Sequence, residues 1–274
     1  MLSRPIPTSG EEIPVIGLGT WKVFDVGTAR SVRAGPRAVL DEFVKLGGTL
    51  VDSSPMYGQS EQVVGDLARD LGVADGLFMA TKVWTTGRQK GIDEMRDSMR
   101  KMGVACMDLM QVHNLVDVDT HLETLAQWKA EGLVRYVGVT HYTAGAHADV
   151  GRVLDRHPVD FLQINYSVIE REVERWLLPM SKERGIAVIA NRPLATGTLT
   201  QALRSRPLPP IATELECASW SSLLLKFVVS HPVITCAIPA TGSVEHLRQN
   251  MTAGNGPMPS ERQRLDIVKA VTGE

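Results

Sequence analysis

Short apolar runs alternate with longer stretches of helical periodicity from residue 15 to the end of the chain. The apolar runs fall at 15–18, 49–52, 77–82, 107–113, 134–139, 161–165, 186–190 and 233–237. Runs of this length bounded by turn residues are the mark of buried strands. Helical spacing follows each one. A helix over 37–45 turns Ala38, Val39 and Phe43 inward, and a second begins at Ser60 as N-cap and aligns Val63, Val64, Leu67 and Leu71. Ile92, Met95, Met99 and Met102 form a core-facing stripe in the third. Thr120-His121-Leu122-Glu123 is a capping box for the fourth, which buries Leu122, Leu125 and Trp128. Later helices are expected over 146–155, 173–183 and 213–230, after Ser243, and after the capping box Ser260-Glu261-Arg262-Gln263.

Strands alternating with helices imply a parallel sheet. Eight such units imply closure into a (β/α)8 TIM barrel, an α/β fold expected to occupy 1–274 as one domain. An open dinucleotide-binding sheet fits less well. The first strand ends in Gly17-Leu18-Gly19-Thr20-Trp21, which lacks the third fingerprint glycine and leads into no immediate helix. A hairpin of 4–6 with 12–14 is placed to plug the N-terminal end of the barrel, and the last helix is extra to the repeat.

Composition narrows the function. A net charge of −2 gives no case for nucleic acid or an anionic membrane, and no apolar run is long enough to span a bilayer. The N-terminus lacks a signal-peptide core. Cys106, Cys217 and Cys236 are few and without metal spacing, which suits packing in a reduced cytoplasm. His113, His141 and Asp52 lie too far apart in sequence for a recognisable metal motif, and no metal is expected.

Chemistry in a barrel sits at the C-terminal ends of the strands. Those ends carry Thr20, Asp52, Lys82, His113, Thr140, His141, Gln163, Asn165 and Asn191, and Tyr57 closely follows the second. An acid, a phenol, an amine and an imidazole meeting there form a proton-transfer site. Asp52 would keep Lys82 charged, and Lys82 would lower the Tyr57 phenol from about 10. Such a phenol can protonate a developing alkoxide while a neutral His113 orients the same oxygen. The chain has no hydride source of its own, so a nicotinamide cofactor is needed. A buried structural ion pair, a core histidine and a packing tyrosine are the individual alternatives. Trp21 and Trp84 line an apolar pocket or simply pack the barrel top. His121, His147, His157 and His231 are expected at the surface or as caps.

The segments Gly17–Trp21, Asp52-Ser53-Ser54-Pro55-Met56-Tyr57-Gly58-Gln59-Ser60-Glu61, Ala80-Thr81-Lys82-Val83, Gln111-Val112-His113-Asn114, Gln163-Ile164-Asn165-Tyr166 and Ile238-Pro239-Ala240-Thr241 through Asn250 are ordered along the whole chain. In them the chain closely resembles the aldo/keto reductase superfamily. The resemblance implies reduction of a small-molecule carbonyl by NADP(H), with NAD(H) possible. It assigns Tyr57 as proton donor, Lys82 and Asp52 as its tuning pair, and His113 as the substrate-orienting group. It places Thr20, Trp21, Thr140, His141, Gln163 and Asn191 around the nicotinamide, and Pro193, Leu194 and Gly197 along the pyrophosphate. Thr241, Ser243, His246, Gln249 and Asn250 fall at the adenosine end. His141 and Asn191 depart from the common residues at the nicotinamide, and Ala240 and His246 at the adenosine end, where the loss of a lysine and an arginine is expected to narrow the preference for NADPH over NADH. The chain continues about 24 residues past Asn250, leaving little room for a capping loop. Trp21, Met56, Trp84 and Leu115 are therefore the expected walls of an open substrate pocket in a cytoplasmic monomer or weak homo-oligomer. A cofactor-binding regulatory protein with little turnover and a Schiff-base lyase using Lys82 are the rivals.

Overall fold

The structure, a computed structural model, describes residues 1–273. A hairpin of β1 (Ser3–Pro5) and β2 (Glu12–Pro14) leads into β3 (Leu18–Gly19), β4 (Leu50–Asp52), β5 (Phe78–Val83), β6 (Met107–His113), β7 (Val134–Thr140), β8 (Phe161–Asn165), β9 (Ala187–Asn191) and β10 (Ile234–Ala237). β3 to β10 form one parallel sheet of eight strands in sequence order. Bridges from Ile16 to Ala237 and from Gly19 to Ala240 join its two edges and close the barrel. Gly19 is needed at that seam, since a Cβ there would lie 2.8 Å from the Ile238 carbonyl oxygen. The Gly17-Leu18-Gly19 segment thus serves strand closure.

The helices are α1 (Arg30–Lys45), α2 (Ser60–Leu71), α3 (Arg88–Met102), α4 (Val118–Ala130), α5 (His147–Arg156), α6 (Leu177–Glu183), α7 (Thr198–Leu203), α8 (Pro210–Glu214), α9 (Trp220–Ser230), α10 (Val244–Thr252) and α11 (Glu261–Thr272). Their apolar stripes pack on the outer faces of the strands. A separate cluster fills the barrel: Leu50, Phe78, Leu109, Tyr136, Phe161 and Ile189, with Ile6 and Ile13 from the hairpin. The hairpin therefore plugs the N-terminal end, as its position in the sequence implies. Tyr136 Oη donates to Ser9 Oγ at 2.7 Å and ties the hairpin turn to the barrel.

Several local expectations fail for identifiable reasons. α1 begins at Arg30 and carries Pro36 inside it, forgoing one backbone bond, because Pro36 joins the buried stripe of Val39, Leu40 and Phe43. Ser60 is the first residue of α2 rather than its cap, and its hydroxyl points to the Thr20 carbonyl at 3.4 Å. The Thr120 capping box does not form, since α4 starts two residues earlier behind Asp117, which is left-handed at φ 47°. The expected 213–230 helix is two: Glu216 at φ 55° breaks it, and a Ser219–Ser222 capping box restarts α9. Short helical turns lead into α6, which is confined to Leu177–Glu183. The capping box at Ser260 and the cap at Ser243 are present. His121 and His147 are buried, their Nε2 atoms 2.7 Å from the Thr85 carbonyl and 3.0 Å from Asn165 Oδ1.

Candidate active site

Strand alternation explains why polar groups gather at one end. Side chains two apart share a face. Leu50 and Asp52, Phe78 and Lys82, Leu109, Gln111 and His113, and Phe161 and Gln163 are therefore pairs or triples on the same inward face. The lower member of each is in the apolar barrel cluster. The upper member lies toward the C-terminal end and is buried and polar. The register aligns these rows, with Lys82 opposite Gln111, His113 opposite Thr140, and Thr140 opposite Gln163. An apolar floor thus supports a polar layer.

Within that layer Lys82 Nζ donates to Asp52 Oδ2 and to the Ser53 carbonyl, each at 2.6 Å. Asp52 Oδ1 accepts from Gln163 Nε2 at 2.8 Å and from Gln111 Nε2 at 3.3 Å. Burial alone would strip the charge from Lys82, but Asp52 and Tyr57 outweigh it and hold the ammonium above its ordinary range. Lys82 Nζ lies 5.1 Å from the centroid of the Tyr57 ring. The ring meets His113 edge-on, with centroids 6.1 Å apart. All four predicted groups therefore come together.

The Tyr57 phenol does not follow the expected direction. Burial raises it above 10, Asp52 adds to the rise, and Lys82 only opposes it. His113 is driven down to about 3, by burial first and then by the charges of Lys82 and His141, so its imidazole is neutral at ordinary pH. Its Nδ1 lies 3.1 Å from Ser54 Oγ, a group that in the sequence stands out only as part of the Ser53-Ser54-Pro55-Met56-Tyr57 segment.

Around the rest of the mouth, Thr140 Oγ1 donates to Gln163 Oε1 at 3.1 Å. His141 Nδ1 accepts from the Tyr142 and Thr143 amides at 3.0 and 3.3 Å. That leaves its Nε2 to carry the proton. Asn191 Nδ2 donates to the His141 carbonyl at 3.0 Å, while Asn191 Oδ1 is buried without a partner. Arg192, Ala195 and Thr196 in the loop after β9 hold positive φ, strain that concentrates at functional sites. At the far end, Ser243 caps α10, Thr241 Oγ1 accepts from the Ser243 amide at 3.1 Å, and Gln249 Oε1 accepts from Ser221 Oγ at 3.2 Å. Asn250 Oδ1 is another buried acceptor with no partner. Arg248 Nε is held by Glu42 Oε1 at 2.7 Å, and His246 is exposed. Trp21, Met56 and Trp84 are exposed. Trp84 stands 6.3 Å from the His113 ring between centroids, and Leu115 is half-buried.

The model of the aldo/keto reductase family matches residues 15–266. The chain belongs to the aldo/keto reductase family. Among curated relatives, the methylglyoxal reductase YeaE of Escherichia coli is 28% identical over 258 residues, covering 91% of this chain and 89% of that protein. The aldo-keto reductase YhdN of Bacillus subtilis is 30% identical over 71% of this chain and 62% of its own length. A thermostable aldo-keto reductase, Tm1743, in complex with the inhibitor epalrestat superposes with TM-score 0.82 at 26% identity, covering 99% of this chain and all of that one. The Klebsiella pneumoniae aldo/keto reductase in complex with NADP and acetate gives TM-score 0.80 at 26% identity, covering 96% of this chain and 93% of that one.

For this aldo/keto reductase, two groups of the polar layer escaped the sequence reading. Gln111 could have been found from alternation, since Leu109, Gln111 and His113 share a face. Ser53 joins the layer through its backbone carbonyl on Lys82 and its hydroxyl, which accepts from Thr20 Oγ1 at 3.0 Å. No sequence pattern signals either contact.

Proposed function

We propose that this aldo/keto reductase reduces aldehydes or ketones to alcohols with NADPH, and that Tyr57 delivers the proton. The observation that carries the reading is the buried Lys82 ammonium, fixed by Asp52 and the Ser53 carbonyl beside the Tyr57 ring, with neutral His113 at that ring's edge. The nicotinamide cofactor supplies the hydride when bound. The carbonyl oxygen then gains negative charge, and charged Lys82 beside the phenol favours loss of the Tyr57 proton to it. His113 donates a hydrogen bond to the same oxygen and sets its position. Asp52 keeps Lys82 charged and blocks its use as a Schiff-base nucleophile.

The residues fit a dinucleotide. Asn191 Oδ1 and Asn250 Oδ1 are buried acceptors without partners, at the positions assigned to the nicotinamide and the adenine. Thr20, Trp21, Asp52, Thr140, His141 and Gln163 would hold the nicotinamide end, with His141 Nε2–H replacing a side-chain amide donor. Pro193, Leu194 and Gly197 would border the pyrophosphate. Thr241, Ser243, His246 and Gln249 would meet the adenosine. Ala240 and His246 offer no fixed charge to a 2′-phosphate, so NADPH is preferred by a small margin.

Trp21, Met56, Trp84 and Leu115 would form the apolar walls of the substrate site, with Trp84 6.3 Å from the His113 ring between centroids. Varied aldehydes suit such apolar walls. An open groove of about 630 Å³ beside them shares Leu115 and His141 but is lined further out by the charged Asp149, Arg152, Asp155 and Arg156. Oxidation of NADPH and NADH over a panel of aromatic and aliphatic aldehydes, methylglyoxal among them, tests the reading. Turnover with alcohol as product is expected. Tight cofactor binding with no turnover on any member would favour a regulatory role instead.

A further inference from the structure

We infer that Ser54 is a positioning residue that fixes the His113 tautomer, holding the ring proton on Nε2. The inference rests on the reductase reading for its kinetic consequence, though not for its structural one.

His113 is buried and ends β6. Its Nδ1 lies 3.1 Å from Ser54 Oγ, and Ser54 is fully buried. Two proton arrangements satisfy that distance. In one, the serine hydroxyl donates to Nδ1 and the imidazole proton sits on Nε2. In the other, Nδ1–H donates to the hydroxyl oxygen, whose own hydrogen must then find an acceptor. Ser54 Oγ has one further partner among the described residues, and it is a donor, the Met56 amide at 3.4 Å. The second arrangement therefore leaves a buried hydroxyl hydrogen unsatisfied, which proteins avoid. The first satisfies every group, because one hydroxyl accepts from Met56 and donates to Nδ1.

The backbone makes Ser54 rigid. Its carbonyl accepts from the Tyr57 amide at 3.0 Å, and the Ser53 carbonyl before it accepts from Lys82. The short 53–57 turn thus presents the phenol, anchors the ammonium and sets the imidazole together. Burial first, and then the charge of Lys82, keep protons off the ring, so the neutral form is the one to be oriented. A neutral imidazole has one donor and one acceptor nitrogen. A carbonyl oxygen needs a donor, and only the Nε2–H tautomer offers one away from Ser54.

Nitrogen NMR on histidine-labelled, full-length protein reads the tautomer directly. In the wild type, His113 is expected to show a protonated Nε2 and an unprotonated Nδ1. Ser54→Ala should give a mixture of tautomers and lower kcat/KM for a reactive aldehyde about tenfold, the effect of one lost hydrogen bond. The loss should fall mainly in kcat, with cofactor Kd unchanged. Ser54→Cys, which keeps the size and a weak donor, should recover part of both signals. A wild-type spectrum with the proton on Nδ1 overturns the inference. So does a Ser54→Ala enzyme with unaltered spectrum and kcat/KM. The spectrum is independent of turnover, so failure of the reductase reading leaves that arm intact and is seen separately.

Discussion

The two sides of the barrel mouth are built on different principles. On the side of β4, β5 and β6, Asp52, Lys82 and His113 are held from within the protein, and the unpartnered buried atoms among the described residues there, Gln111 Oε1 and Asn114 Oδ1, belong to neighbouring groups. Asp52 accepts three hydrogen bonds, Lys82 donates to two oxygens and His113 meets Ser54. From β9 to α10 the buried atoms Asn191 Oδ1, Arg192 Nε and Asn250 Oδ1 have no partner among the described residues. A buried polar atom without a partner costs about 1–3 kcal/mol. On the proposed reading the first side is preorganised for proton transfer, and a cofactor bound at the second would supply partners to its unsatisfied atoms. Perturbing the first should damage chemistry and stability. Perturbing the second should damage binding.

The sharpest test is Tyr57→Phe, which removes one hydroxyl. It should lower kcat by about 10²–10⁴-fold, the usual contribution of a positioned proton donor. Cofactor titration by fluorescence should give an unchanged Kd. A loss of cofactor binding in step with kcat would dissolve the division between the two sides.

Lys82→Met tests the stability of the saturated side. It strands the buried Asp52 carboxylate, and breaking such a pair costs about 3–5 kcal/mol. Urea unfolding should show the loss, and Asp52→Asn in the same chain should recover part of it by removing the orphaned charge.

The pH behaviour follows from the same burial. Tyr57 sits above 10 in the free protein, so the free enzyme keeps its donor protonated and kcat/KM for reduction should decline only at strongly alkaline pH. His113, at about 3, contributes no ionisation to the profile between neutrality and mild acid. Its effect on stability has a definite sign. The unfolded chain takes up a proton at His113 as pH falls through about 6.5, and the folded chain does not until about 3. Folding stability therefore drops across that window, and His113→Gln should flatten the slope seen by denaturant titration.

The contrast also separates what was legible in the sequence from what was not. The limits of β6 and β8, and the inward rows ending at Lys82 and His113, follow from period-two alternation and turn residues, which are local. Asp52, Tyr57, Lys82 and His113 were legible because charged and aromatic groups at strand ends break an apolar pattern. His121 and His147 were not, because a histidine on a helix looks the same whether it meets water, the Thr85 carbonyl or Asn165. The start of α1 at Arg30, seven residues before the expected 37, was hidden because Pro36 is accommodated inside the helix as part of its buried stripe. The rise of the Tyr57 phenol was hidden for a related reason. Sequence identifies the lysine that lowers it but carries no measure of the burial that raises it more.

On the unsaturated side, Asn250→Ala should weaken the binding of both NADPH and NADH about tenfold, as loss of one hydrogen bond to a shared part of the cofactor would. Equal kcat at saturating cofactor would keep the effect on the binding side. Selective weakening of one cofactor would place Asn250 elsewhere than at the adenine.

The smallest expected effect concerns the choice between cofactors. Arg248 is the cation nearest in sequence to the adenosine segment, yet its guanidinium is held by Glu42 at 2.7 Å. Arg248 is mostly exposed, so its pair with Glu42 is weak and screened by solvent. Glu42 therefore withholds little energy, but on the proposed cofactor placement it would also set a negative charge near the 2′-phosphate. Glu42→Gln removes that charge and frees Arg248 to approach the phosphate. The ratio of kcat/KM for NADPH over NADH should rise about two- to fivefold, consistent with an exposed charge. The gain should shrink as salt is added, because interactions between exposed charges are screened beyond about 8–10 Å near physiological ionic strength. An unchanged ratio would mean that Arg248 stays clear of the phosphate and that selectivity rests on Thr241 and Ser243 alone. A gain that persists at high salt would instead mark a buried, direct contact and a cofactor site more saturated than its unpartnered atoms indicate.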